Sequence, residues 1–238
     1  MIEIIPETGS TNADLLARLA AGEEIAENYW LVTDTQTSGR GRQGRPWLSE
    51  PGNFFGSTCI SLQASDPPPA SLSFVIALAA YEALVPIMDR PDRLQLKWPN
   101  DVLMSGAKLA GILLEGRGRN IVIGIGVNLV SAPKIADRDI ASIAGTGSRP
   151  DRDVFAHSLA DSFRNEVAAW RDTGLEPLFK RWLSVAHPVG SPLAVHATDG
   201  SRIFGRFVGL AEDGALLLED GDGGVHTLHA GDVMLGRN

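Results

Sequence analysis

The chain has 238 residues, a formal net charge of −8, and 44% hydrophobic against 21% charged residues. It is longer than a typical domain of roughly 100–150 residues, and its balance is that of a globular chain rather than a disordered one. The acidic excess argues against a general nucleic-acid binder, and the single cysteine, Cys59, excludes an intrachain disulfide and fits a reducing, cytoplasmic setting.

The N-terminus, MIEIIPETGS, has neither the basic segment nor the apolar core of a secretory signal. In the following ADLLARLAAG, Leu15, Leu16 and Leu19 share a helical face. Gly22 is a stop, and Ser10 or Thr11 is an N-cap. WLVTD (30–34) reads as a short buried strand feeding GRGRQGRPW (39–47), which sets three arginines among three glycines. NFFGSTCISL is β-branched and aromatic, hence a strand. After a proline turn at 67–69, SLSFVIALAAYEALV reads as a buried helix. Glu82 and Pro86 interrupt this helix, which falls short of the ~20 residues that span a bilayer.

LQLKW is a strand, Pro99-Asn100-Asp101 a break, and DVLM and KLAGILLE two strands joined at Ser105-Gly106. NIVIGIGVNL alternates with period two. Helices follow over 151–172 and 175–183, closed off by Pro188 and Gly190. Beyond about 190, short runs between turn signals at Asp199-Gly200, Asp213-Gly214 and 220–224 read as a small antiparallel β-unit or barrel. The expected fold is α/β (α+β), a mixed sheet with helices over 1–187 and a small β-barrel over 188–238.

Four clusters carry chemistry. GRGRQG lacks the Lys-Ser/Thr pair of a Walker A loop and opens no helix, so it is not a dinucleotide fingerprint. Alone it fits either a solvated basic turn or a loop whose Arg40, Arg42 and Arg45 grip an anion by forked hydrogen bonds. Lys97-Trp98-Pro99-Asn100-Asp101 fits an Asx turn or a cleft wall. Lys108 enters an apolar strand, either solvated at its end or aimed at a phosphate or oxyanion. Gly124 and Gly126, before Asn128, mark a bulge, a tight packing contact or a close ligand approach.

Their order is more specific than any one of them. GSTN, Gln36 with GRGRQGRPW, KWPND, KLAGILLE and GIGVNL resemble, in that sequence, the motifs of biotin–protein ligases, and FGRFVGLAEDGALLLE resembles that family's SH3-like C-terminal barrel. The resemblance implies that biotin and ATP form biotinyl-5′-AMP and pyrophosphate, with Mg²⁺, before biotin passes to one lysine of a biotin carboxyl carrier domain. It places Ser10, Thr11 and Asn12 at the biotin pocket, and Gln36, Gly39, Arg40, Gly41 and Arg42 in the loop that holds biotin and its adenylate. Arg42 is the implied clamp, with Arg40 and Arg45 holding the loop's shape. Trp47, Asn100 and Asn128 match positions around the nucleotide, and Lys108 matches the lysine between biotin carboxylate and α-phosphate. Lys108 and Arg42 are the implied catalytic pair. Lipoate–protein ligases, which share the adenylation chemistry, are the nearest alternative, and a biotin-responsive regulator is a further one. The ligase motifs begin within a dozen residues of Met1, leaving no room for a helix-turn-helix, so no nucleic acid and no membrane partner are expected. Some family members are homodimers.

The remaining candidates are weaker. Cys59 sits in an apolar strand and reads as a buried thiol. His226 and His229, three apart, would face opposite sides of a strand, so no metal site is expected. Asp101 either organises Mg²⁺ or hydrogen-bonds its own turn, the second being the preferred reading.

Overall fold

The computed structural model describes residues 1–136, 138–147, 150–196 and 201–235. The main sheet is built from β1 (Ile2–Thr8), β2 (Trp30–Gln36), β3 (Phe54–Ser61), β4 (Leu94–Lys97), β5 (Asp101–Met104), β6 (Ala107–Arg117) and β7 (Asn120–Val127), in the order β1-β2-β3-β7-β6-β5-β4. Only β1 and β2 run parallel, joined through helix α1 (Thr11–Ala20); every other neighbour pair is antiparallel. Sequence reasoning passed over β1. Pro6 weakens its strand signal, yet an edge strand tolerates a residue without an N–H.

Period-two alternation gives the sheet two unlike faces. Ile112, Ile123, Ile125, Phe54 and Val102 point to one side, where helices α2 (Leu72–Leu84), α3 (Arg152–Thr173) and α4 (Leu175–Val185) cover them in the main apolar core. Trp30 meets Phe163 of α3 edge-on at 5.6 Å, and Phe54 meets Phe155 at 5.3 Å. Asp151 caps α3, its side chain accepting from the Asp153 and Val154 amides. On the opposite face, α1 buries only a small cluster of Leu15, Leu31, Cys59 and Val122. The rest of that face is left for a cleft.

Two expectations change. Ser10 occupies the N-cap of α1 but makes no capping bond with its side chain. The helical run through α2, Pro69–Ile87, is in fact long and apolar enough to cross a membrane by length and composition, but it is mostly buried against the sheet and α3. Position, not length, sets its role.

The C-terminal strands β8 (Pro192–His196), β9 (Arg202–Leu210), β10 (Leu216–Glu219), β11 (Val225–Leu228) and β12 (Asp232–Leu235) form a second antiparallel sheet, ordered β11-β10-β9-β8-β12. Among the described residues its end strands β11 and β12 do not pair, so the expected barrel is an open five-stranded sheet. The turn expected at Asp199-Gly200 lies outside the described residues. Val195, Phe207, Leu216 and Val233 join the same apolar core as the main sheet, and Trp98 Nε1 donates to the Gly214 carbonyl at 3.1 Å.

Candidate active site

The uncovered half of the main sheet floors a cleft of roughly 1310 Å³. Of the residues that the resemblance places at the site, all but Gly39 line it; Cys59, His226 and His229 do not. The floor is made of glycine. Gly111 on β6 and Gly126 on β7 are register partners, and Gly124 sits two residues back on the same face. A Cβ at Gly126 would lie 2.5 Å from the Trp47 indole, one at Gly111 2.8 Å from it, and one at Gly124 2.3 Å from Asn12 Oδ1. Real Cβ atoms do not approach so closely, so the missing side chains let Trp47 and Asn12 lie flat on the strands. Of the three readings open for Gly124 and Gly126, tight packing against the chain's own side chains is the one present, since both pair in regular register without a bulge.

The arginine loop closes over this floor as a tight hairpin. Gly41 N donates to Arg45 O at 2.8 Å and Trp47 N to Gly39 O at 2.9 Å, with Gln43 and Gly44 at positive φ in the turn. Gly39 contributes by its smallness, since a Cβ there would meet the Trp47 carbonyl at 2.7 Å. Arg42 reaches Asn100 Oδ1 and the Gly231 carbonyl, each at 3.4 Å. Arg45 pairs with Asp232, and Arg40 stands 3.8 Å from Glu115. The loop is therefore anchored at both ends of the cleft rather than standing free in solvent.

A polar wall runs along the start of α1. Gln36 Oε1 accepts from Thr11 N at 2.9 Å and from its hydroxyl at 3.2 Å. Thr11 and Ser57 hydroxyls share a 2.6 Å bond, Ser57 donates to Asn12 Oδ1 at 2.6 Å, and Asn12 Nδ2 donates to Glu115 at 2.8 Å. Ser57 and Glu115 were missed from the sequence. The signal for Ser57 is its register opposite Gly124, visible only once β3 and β7 are paired.

At the far end, Lys97 and Asp101 face each other across the hairpin that joins β4 to β5. Lys108 reaches the same side through a bulge. Val102 pairs with Ala110 but Leu103 with Lys108, so Leu109 is the extra residue and turns into the core. Strict alternation would place Lys108 and Gly111, three apart, on opposite faces. With the bulge, Lys108 Nζ lies 5.6 Å from the Trp47 ring centroid and 2.5 Å from Asp101 Oδ1. Lys97 Nζ holds Asp101 Oδ2 at 3.0 Å. Burial pushes the Asp101 carboxyl up, but the two ammonium groups outweigh it and hold its pKa below the ordinary carboxylate value. The preferred reading of Asp101, a bond within its own turn, gives way to this two-lysine arrangement.

Asn128, just past β7, donates from Nδ2 to the Ala141 carbonyl at 3.1 Å. Among the described residues its buried Oδ1 and the buried Trp47 Nε1 have no hydrogen-bond partner. Both residues line the cleft.

The profile of the biotin/lipoate A/B protein ligase family matches residues 8–128, which hold the polar wall, the arginine loop and both lysines. The chain belongs to this family. Residues 194–236 match the biotin protein ligase C-terminal domain, in accord with the second sheet. Among family relatives, the chain is 36% identical to the biotin–[acetyl-CoA-carboxylase] ligase of Paracoccus denitrificans, over 98% of this chain and all of that protein. It is 34% identical to the enzyme of the same name from Mycobacterium tuberculosis, over 98% of this chain and 88% of that one. The fold superposes on the biotin protein ligase of Aquifex aeolicus in complex with biotin and ATP with a TM-score of 0.86 and 26% identity, covering 100% and 99% of the two chains.

Proposed function

We propose that this chain is an ATP-dependent biotin–protein ligase that biotinylates a lysine of a carboxylase's biotin carboxyl carrier domain. The observation that carries the reading is the meeting of two distant motifs over one glycine floor: Trp47, which ends the arginine loop, and Lys108, raised beside it by the bulge. The names of the relatives favour biotin over lipoate.

In the first step a biotin carboxylate oxygen bonds to the α-phosphorus of ATP and the bond to pyrophosphate breaks. Two anions must approach, so the barrier includes their repulsion. Lys108 and Arg42 offset that charge and align the partners. The polar wall of Thr11, Asn12, Gln36 and Ser57 suits the donors and acceptors of a ureido ring, with Ser10 beside it. Asn100, Asn128 and Trp47 hold the nucleotide, Asn128 Oδ1 accepting from it. In the second step the neutral amine of the acceptor lysine attacks the adenylate's carbonyl carbon, AMP leaves, and the amine loses a proton. The arginine loop, held by Gly39, Arg40, Gly41 and Arg45, excludes water from the mixed anhydride until then.

Mg²⁺ is assigned to the nucleotide it accompanies. Among the described residues no cluster of three or more His, Cys, Asp or Glu offers a cage, and both Asp101 oxygens are occupied by lysines. No step is routed through the metal. We assign residues 1–187 to the catalytic unit and 188–238 to the C-terminal domain; a cytoplasmic enzyme fits this substrate set.

Incubation with radiolabelled biotin, MgATP and a carrier domain should place label on one acceptor lysine. Label that appears only when lipoate replaces biotin would overturn the assignment.

A further inference from the structure

The start of β12 meets three cationic side chains from the other side of the cleft. Arg42 reaches the Gly231 carbonyl, Arg45 pairs with Asp232, and Lys97 Nζ donates to the Val233 carbonyl at 3.1 Å. Arg42 and Arg45 come from the loop. Lys97 differs, because the same ammonium also holds Asp101 Oδ2 at 3.0 Å, and Asp101 holds Lys108 with its other oxygen. A chain of contacts thus runs from the C-terminal sheet through Lys97 and Asp101 to the ammonium assigned to the reacting carboxylate and phosphate.

The local structure explains why Lys97 can do this. It ends β4 directly opposite Asp101, the first residue of β5, so their side chains share a face. The Lys97 side chain is only 17% exposed and that of Asp101 11%. A lysine so enclosed is stable as a cation only with well-placed acceptors, and here it has two, one from each sheet. A lone carboxylate would swing toward whichever cation it meets. With Lys97 fixed to β12, one Asp101 oxygen is pinned and the other presents Lys108 in one position.

We propose that Lys97 is a positioning residue for adenylation, fixing Asp101, and through it Lys108, relative to the C-terminal sheet. This rests on the ligase reading. On this proposal Lys97, although it lines the cleft, acts through the Asp101 carboxylate and not on a reactant.

The test is a double-mutant cycle in the full-length chain, read as single-turnover pyrophosphate release from biotin and MgATP. Lys97→Met keeps the apolar stem and removes the charge. It is expected to slow release about 10- to 100-fold while biotin Kd changes less than about threefold, because an effect confined to positioning appears in the rate and not in ground-state binding. In an Asp101→Asn background the same substitution should cost less than about twofold, since residues acting through one another are not additive. Lys97→Arg, which keeps a donor for each acceptor, should stay within about fivefold of the unsubstituted chain. An equal loss in both backgrounds, a loss confined to biotin Kd or thermal midpoint, or a Lys97→Arg as impaired as Lys97→Met would each overturn the proposal. Should Lys97→Met not fold, Lys97→Gln with the same cycle decides it. The unsubstituted chain separates the two readings: its failure to release pyrophosphate with either acid counts against the ligase reading, whereas the cycle concerns Lys97 alone.

Discussion

The two faces of the seven-stranded sheet are made from the same strands and do opposite things. On the helix-covered face the alternating positions are Phe54, Ile112, Ile123, Ile125 and Val102, large and apolar, all within the main core. On the other face the intervening positions are Ser57, Gly111, Gly124, Gly126 and Asp101, small or polar, and they line the cleft. One face is optimised for area removed from water. The other gives up that area to bring Trp47, Asn12 and three charged groups close to the backbone. Where the cleft lies, stability and chemistry are thereby separated by residue parity, except in β6, where the bulge brings Lys108 to the side of Gly111.

Three substitutions would break or sharpen that separation. The largest effect is expected on the helix side. Phe163→Ala removes a fully buried ring that packs edge-on against Trp30. It should cost about 3–5 kcal/mol in urea unfolding and leave biotin KM unchanged in the fraction that remains folded. A change in KM with unaltered stability would mean that the faces are not independent.

Next is the cleft side. Lys108→Ala should lower pyrophosphate release about 10²–10³-fold, as expected for a group that stabilises developing negative charge. Its unfolding midpoint should stay close to that of the parent chain, because Lys108 packs at the cleft and not in the core. Near-normal pyrophosphate release would show that the ammonium has no part in the step.

The smallest effect concerns His187, enclosed beside Trp182 and Phe207 where the helix side meets the second sheet. Burial, with a contribution from Lys97, pushes its pKa down to about 4. The unfolded chain binds this proton near the ordinary value of about 6.5 while the folded chain does not, so its contribution to stability is complete above that pH and is lost as pH falls toward 4. The loss amounts to about 3 kcal/mol at most. His187→Leu should flatten the pH dependence of the unfolding free energy between pH 6.5 and 4; a slope identical to the parent's would assign that dependence to other groups.

The sequence made most elements readable because their periodicities are strong. The helices over 72–84 and 152–173 and the strands over 54–61 and 120–127 lie within two residues of the expected bounds. It was less informative where pairing decides the outcome. β1 carries a proline and becomes a strand only by laying its backbone beside β2. The second sheet has the expected short strands, but whether its ends meet depends on how far the strands coil, which no local pattern states. The candidate site was legible as motifs, since arginines among glycines and a lysine entering an apolar strand are costly unless used. Asp101 was the harder case. Its turn-forming neighbours, Pro99 and Asn100, suggested a local bond, and the competing partner lay seven residues away behind a bulge.

By itself the sequence determined which residues alternate and where glycine interrupts a strand, local properties fixed by side-chain size, charge and spacing. That GRGRQGRPW, KWPND and Lys108 go together is implied by the order in which they resemble one family's motifs. Only the tertiary structure decided that GRGRQGRPW lies closed on a glycine floor, with its arginines divided between Asn100, Glu115 and the start of β12. It also decided that Lys97, Asp101 and Lys108 form one connected group reaching to the second sheet. Register, bulges and contacts between sheets involve residues far apart along the chain, and their energies arise only when those residues are brought together.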